Sequence, residues 1–160
     1  MLPLLIAPNP VLRQKAKPIP LPVSAATQKL ARDMFEAMEH YRGIGLAAPQ
    51  VGESVRLIVV GTSGQPTVYL NPSVKKRTWR KVNFEEGCLS LPGVYGLVRR
   101  PRRVLASYAT LSGELKEEWL DGLTARVYQH EVDHLNGVLF TDLTKNITSG
   151  RELLATYELQ

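Results

Sequence analysis

The sequence predicts an α+β fold, and three features carry that expectation. Two segments space their apolar residues with a helical period, and several short apolar runs suit strands. The two kinds of segment do not alternate in the regular way that a parallel α/β chain requires. At 160 residues the chain is expected to form one domain, 1–160, large enough to bury a core without disulfide staples.

The prolines between Pro3 and Pro22 predict an extended, meandering start. Ser24 is placed to cap a helix in which Leu30, Met34, Ala37, Met38 and Tyr41 recur at helical spacing, with Gly43 as its stop. Arg56–Val60 and Thr67–Leu70 read as short strands. Val104–Thr110 and Leu115–Leu120 flank Ser112-Gly113 as a β-hairpin. A second helix is expected over Leu123–Leu135, closed by Asn136-Gly137.

Composition narrows the function classes. A single cysteine, Cys88, excludes an intrachain disulfide and fits a reducing compartment. The apolar stretch Leu4–Ala7 has no charged leader, is bracketed by Pro3 and Pro8, and is too short to span a bilayer, so neither a signal peptide nor a membrane segment is expected and the location is read as cytoplasmic. The net charge of +5 comes mainly from Lys75–Lys81 and Arg99–Arg103. These stretches are read as a solvated basic surface in preference to an RNA-binding face, because aromatic residues do not alternate with the arginines as in a stacking platform; sequence-specific nucleic-acid binding is not expected.

The sharpest local signal is His130-Glu131-Val132-Asp133-His134. On a helix, residues four apart lie about 40° apart around the axis and one turn apart along it, so both imidazoles can face one ion. Glu131 then stands beside the ion, where a general base belongs. Val127, Leu135, Val138, Leu139 and Phe140 make the surroundings apolar, and buried histidines and carboxylates without partners are costly. Two of the three histidines in the chain fall in this pentapeptide.

A catalytic metal site usually takes three protein ligands and leaves one position open. Cys88, in Glu86-Gly87-Cys88-Leu89-Ser90, is the natural third ligand, and a thiolate with two imidazoles suits zinc or ferrous iron better than magnesium or calcium. A nucleophilic Cys88 activated by a histidine is the competing enzymatic reading, and it leaves the histidine pair and Glu131 without a role.

Three motifs together resemble those of the peptide deformylases. Gly43-Ile44-Gly45-Leu46-Ala47-Ala48-Pro49-Gln50 resembles the first, Glu86–Ser90 the second and Gln129–His134 the third, in the family's order and at roughly its spacing. The likeness runs from Pro8–Arg13 to Leu135–Phe140. It implies a central helix carrying the histidines, surrounded by strands. It also implies ferrous iron as the metal in the cell, replaceable by zinc, nickel or cobalt, and formylated nascent polypeptides as substrates, with transient ribosome association. Cys88, His130 and His134 are then the ligands, Glu131 the proton shuttle, and Gln50 with the N–H of Leu89 the oxyanion donors. Gly43, Ile44, Gly45 and Leu46 form the substrate cleft, where the peptide adds as a strand. Ile44, Leu89 and Val127 are candidates for an apolar methionine pocket. Many bacterial members carry a longer carboxy-terminal helix that docks on the ribosome; here a short tail follows Phe140, and the resemblance does not extend to that helix.

Glu86 or Asp133 is expected to orient a ligating imidazole, and Arg100 to pair with Glu86 or meet substrate carbonyls, with Arg99 left to the basic surface. Two other functions stay open at this level. His-Glu-x-x-His also serves zinc endopeptidases, though these usually take a downstream third ligand. A non-enzymatic module using the metal motif or the basic stretches is the other.

Overall fold

In the computed structural model, which describes residues 1–159, the Ser24 hydroxyl accepts the Thr27 N–H at 3.1 Å and opens helix α1 (Ala25–His40). Its buried stripe is Ala31, Met34, Ala37 and Met38. The helix stops one turn before Gly43: Arg42 takes the left-handed conformation at φ 57°, and Gly43 N–H donates back to Met38 O at 2.9 Å. Gly43 instead lies against the end of the Leu89 side chain, whose Cδ1 a Cβ there would meet at 2.8 Å.

Strands β1 (Gly45–Ala47), β2 (Leu57–Val60), β3 (Thr67–Arg77), β6 (Arg103–Ala109) and β7 (Leu115–Asp121) form an antiparallel sheet in the order β1-β2-β3-β6-β7. A second sheet joins β4 (Lys81–Gly87), β5 (Tyr95–Pro101) and β8 (Ile147–Ser149) in that order. The apolar run Leu57-Ile58-Val59-Val60 is buried throughout because both faces of β2 are covered. Leu57 and Val59 join the cluster under α1, while Ile58 and Val60 join the cluster under the second helix, α2 (Gly122–Leu135).

The strand read as Thr67–Leu70 runs on to Arg77. Asn71-Pro72 looks like a strand break in sequence, but Asn71 sits at φ 50° in a bulge. Its side chain accepts the Ile19 N–H at 2.7 Å and donates to Ile19 O at 2.9 Å, tying the proline-rich start to the sheet. That start laces the molecule together: Leu5 N–H donates to Gln50 O, Ala7 N–H to Ser90 O and Ala16 N–H to Leu135 O.

Helix α2 lies between the two sheets. Its Ala125, Tyr128, Val132 and Leu135 pack under the five-stranded sheet. Arg126 reaches Val98 O and Val82 O of the other sheet at 3.0 and 2.6 Å, and Gln129 reaches Pro101 O at 3.1 Å. Among the described residues, no helix is long and apolar enough to cross a membrane. The tail after Phe140 adds β8 to the second sheet and packs Leu153, Leu154 and Tyr157 on its core.

The end of α2 is set by Gly137, at φ 72°, whose Cα faces Arg13 so closely that a Cβ would stand 2.5 Å from Arg13 O. Gly137→Ala is expected to destabilise the fold by about 1–3 kcal/mol, from left-handed strain plus the clash. Urea unfolding followed by circular dichroism measures it, and an unchanged midpoint would count against this packing.

Candidate metal centre

Gly87 ends β4 beneath the Tyr95 ring, where a Cβ would come within 2.6 Å of the ring, and the chain then turns so that Leu91 N–H donates to Cys88 O. This turn points the Cys88 sulfur at α2. Cys88 Sγ lies 3.3 Å from His134 Nε2, and one donor atom from each of Cys88, His130 and His134 falls within 4.8 Å of the others. Two ligands bonded at about 2.0–2.3 Å to a tetrahedral ion sit about 3.3–3.8 Å apart, so the sulfur–imidazole spacing fits a shared ion. The two imidazoles, one turn apart, have ring centroids 5.1 Å apart. The donor set is a soft sulfur with two nitrogens, which is chemistry for a transition metal.

Glu86 sets the first imidazole. Its Oε1 meets His130 Nδ1 at 2.8 Å, so Nδ1 carries the proton and Nε2 is left as the donor. The same carboxylate receives Arg100 Nε at 2.7 Å, Arg100 Nη2 at 3.0 Å and Arg126 Nη1 at 2.6 Å. Burial by itself would raise the Glu86 carboxyl, but hydrogen bonds from His130 and Arg100 outweigh it and hold the group well below the usual carboxylate range. Asp133 touches no imidazole. It accepts Arg100 Nη1 at 2.8 Å and so braces the network from behind. Burial drives His134 well below the ordinary histidine value, with the charges of His130 and Arg100 adding to it. At His130 burial also acts downward, yet Cys88 and Glu86 together raise it well above that value.

Glu131 is buried beside the histidines, and burial pushes its carboxyl up to about 7 against the opposing pull of His130. Its Oε2 has no hydrogen-bond partner among the described residues, nor does His134 Nδ1. Glu131 Oε1 approaches β1 so closely that a Cβ on Gly45 would lie 2.7 Å from it and 2.5 Å from Val127 Cγ1. Gln50 is fixed by its acceptor: Oε1 takes the Ala47 N–H at 2.9 Å, which turns Nε2 toward Ser90 Oγ at 3.2 Å and Cys88 Sγ at 3.6 Å.

These groups surround a cleft of about 630 Å³, lined by Gly43, Ile44, Gly45, Gln50, Cys88, Leu89, Val127, His130 and Glu131 among others. Of the residues read from the sequence, the structure brings Cys88, His130, His134, Glu131, Gln50 and Leu89 together, with Gly43, Ile44 and Gly45 along the rim. Leu46 stands apart, its side chain fully buried in the cluster under α1. The reason is strand alternation: its neighbours on β1 face α2 and the cleft. Arg126 was not singled out in the sequence. The available signal was its position four residues before His130, on the same face of α2.

A family model described as polypeptide deformylase matches residues 1–149. The chain belongs to that family. A peptide deformylase of Mesorhizobium japonicum is 44% identical over 145 residues, 88% of this chain and 82% of the relative. One of Thermotoga neapolitana is 44% identical over 137 residues, 86% of this chain and 83% of the relative. The crystal structure of the Thermotoga maritima peptide deformylase superposes with a TM-score of 0.88 at 41% identity, covering 91% of this chain and 98% of the other. That of Synechococcus elongatus, in complex with actinonin, gives 0.90 at 39% identity, covering 99% and 89%. As a deformylase, the chain is a metal-dependent hydrolase that removes the N-terminal formyl group from newly made polypeptides. Its Cys88–His130–His134 cluster is able to hold the metal.

Breaking a buried ion network by removing one partner is costly. Glu86→Ala is expected to lower stability by about 3–5 kcal/mol. The milder Glu86→Gln should weaken metal affinity by about 10- to 100-fold. Chelator competition reads the second effect, and unchanged affinity in Glu86→Gln would sever the carboxylate from the site.

Proposed function

We propose that Cys88, His130 and His134 hold one divalent ion, ferrous iron in the cell with zinc, nickel or cobalt as substitutes, and that Glu131 moves the proton during hydrolysis of N-formyl-methionyl chains. The observation that carries this reading is the meeting of a lone thiol with both imidazoles of one helix, Sγ to Nε2 at 3.3 Å, beside a buried carboxylate. A divalent ion held there supplies Lewis acidity and lowers the pKa of a coordinated water.

The chain's own residues supply the rest. The reaction takes a formamide and water to a free amine and formate. Glu131 accepts a proton from water as the formyl carbon is attacked, then delivers it to the departing nitrogen. Burial raises its carboxyl above the ordinary carboxylate value, the direction that suits a group that must also give the proton back. Gln50 Nε2 and the Leu89 N–H are the donors for the oxygen that gains charge. The hydrogen bond from Ala47 holds the Gln50 amide in the donating orientation before substrate arrives.

β1 is an edge strand of the five-stranded sheet, so a substrate backbone can extend the sheet along Ile44–Leu46. Ile44 and Leu46 form the pairs that point at β2, leaving the N–H and C=O of Gly45 for the peptide. A peptide led by methionine suits the apolar walls at Ile44, Leu89 and Val127. A similar structure, the Acinetobacter baumannii deformylase at 35% identity and a TM-score of 0.87 over 90% of this chain and 98% of the other, has Met-Ala-Ser bound. We take residues 1–160 as one catalytic unit acting in the cytoplasm, in transient contact with the ribosome.

The endopeptidase alternative draws on the same His-Glu-x-x-His motif, but the third donor here is the upstream thiol rather than a downstream residue. Glu131→Ala is expected to lose nearly all turnover of a formyl-methionyl dipeptide while keeping stoichiometric metal. Retention of most of the rate would exclude Glu131 as the base. Gln50→Ala should lower kcat by about 10²–10³. Cleavage confined to internal peptide bonds would refute the whole assignment.

A further inference from the structure

The two basic stretches meet in the fold. Thr78 N–H donates to Arg103 O at 3.1 Å and Arg102 N–H to Arg80 O at 2.9 Å, while Lys81 stands opposite Pro101 on β5. Lys75–Lys81 and Arg99–Arg103 contain nine of the twenty Lys and Arg residues and no acid, leaving eleven cations against fifteen acids in the rest of the chain. The molecule is thus a net acidic body with one strongly positive corner. Its average of +5 conceals that segregation.

Six of the nine cations of this corner have no carboxylate partner among the described residues. Arg100 is buried in the Glu86 network, and Arg102 and Arg103 share Asp121 at 3.3 and 3.9 Å. Lys75, Lys76, Arg77, Arg80, Lys81 and Arg99 are exposed, and no carboxylate pairs with them among the described residues. At the crest, between β3 and β4, Trp79 is 91% exposed. It supplies the aromatic that Arg99–Arg103 lacks. An indole in that position packs on nothing in this chain, and a nucleobase can stack on it.

Behind the crest a cleft of about 390 Å³ is bordered by Arg56, Arg77, Arg99 and Arg100, with Asp133 as the one carboxylate among its lining residues. It uses Gln129, Val132, Asp133 and Asn136 of α2, whereas the peptide cleft uses Arg126, Val127, His130 and Glu131. By helical periodicity the two sets face opposite sides of α2.

We propose that this corner is a sequence-independent RNA-docking surface, with phosphates along Lys75–Lys81 and in the Arg77–Arg99 cleft and an unpaired base on Trp79. The proposal deepens the deformylase reading and rests on it in one respect: docking on this side leaves the peptide cleft open on the other, toward a chain being made on RNA. A lipid surface is the poorer match, because the cations border a concave site, and the second tryptophan of the corner, Trp119, is taken up beneath the Arg103 guanidinium.

Fluorescence anisotropy with a labelled RNA stem–loop tests this, using the full chain and a salt series. Binding should weaken steeply with salt. The triple variant Lys76→Glu, Arg80→Glu, Lys81→Glu should lose at least about tenfold in affinity, with a salt slope shallower by about 2–3. Trp79→Ala should lose about tenfold with the slope unchanged. Both variants should keep full turnover of a free formyl-methionyl dipeptide. Equal RNA affinity in the triple variant would overturn the proposal, as would wild-type protein that binds phosphatidylserine–phosphatidylcholine vesicles in preference to RNA. Failure of the wild type to turn over the dipeptide would instead overturn the deformylase reading while leaving RNA binding intact.

Discussion

Glu86 is the constraint on which the site depends. One buried carboxylate receives His130, Arg100 and Arg126, and these come from β5 and α2 to meet a residue of β4. A carboxylate this deep is unfavourable unless every lone pair is used, and here both oxygens accept two donors. The network therefore couples the pose of α2 to the second sheet. Because Cys88 follows Glu86 by two residues, the same coupling carries the thiol to the imidazoles.

The other half of the site is held by steric fit rather than charge. β1 and α2 approach so closely that only a hydrogen fits at Gly45, which lets the Glu131 carboxyl lie beside the strand edge. The strap formed by Leu5 and Ala7 binds the backbones of Gln50 and Ser90, so the donor amide and the turn after Cys88 share one anchor. The groups that line the cleft, from three distant segments, are thus positioned by backbone hydrogen bonds and by the absence of a side chain.

The charge distribution separates two faces of one helix. Arg100 lies at the boundary: its Nε and Nη2 face Glu86 and its Nη1 faces Asp133 on the side of the basic cleft. Arg100, expected to pair with Glu86 or to meet substrate carbonyls, pairs with Glu86 and is 5% exposed, while its neighbour Arg99 is exposed as expected.

Local sequence determined what depends on residues near one another in the chain. Helical spacing placed α1 and α2, Asn136-Gly137 ended α2, and the four-residue interval between His130 and His134 put both rings on one face. The three short motifs were specific enough to identify the family. Strands β4, β5 and β8 were not legible, because β4 keeps all but Glu86 and Gly87 exposed and β8 is a three-residue edge with no apolar period of its own. Nor was the stop of α1 at Arg42, since a left-handed arginine leaves no compositional mark. Only the tertiary structure decided that Glu86 rather than Asp133 orients His130, that Leu46 turns away from the cleft, and that Trp79 crowns the basic corner. Those outcomes depend on strand pairing and side-chain direction across elements far apart in the chain, which residue order alone does not encode at short range.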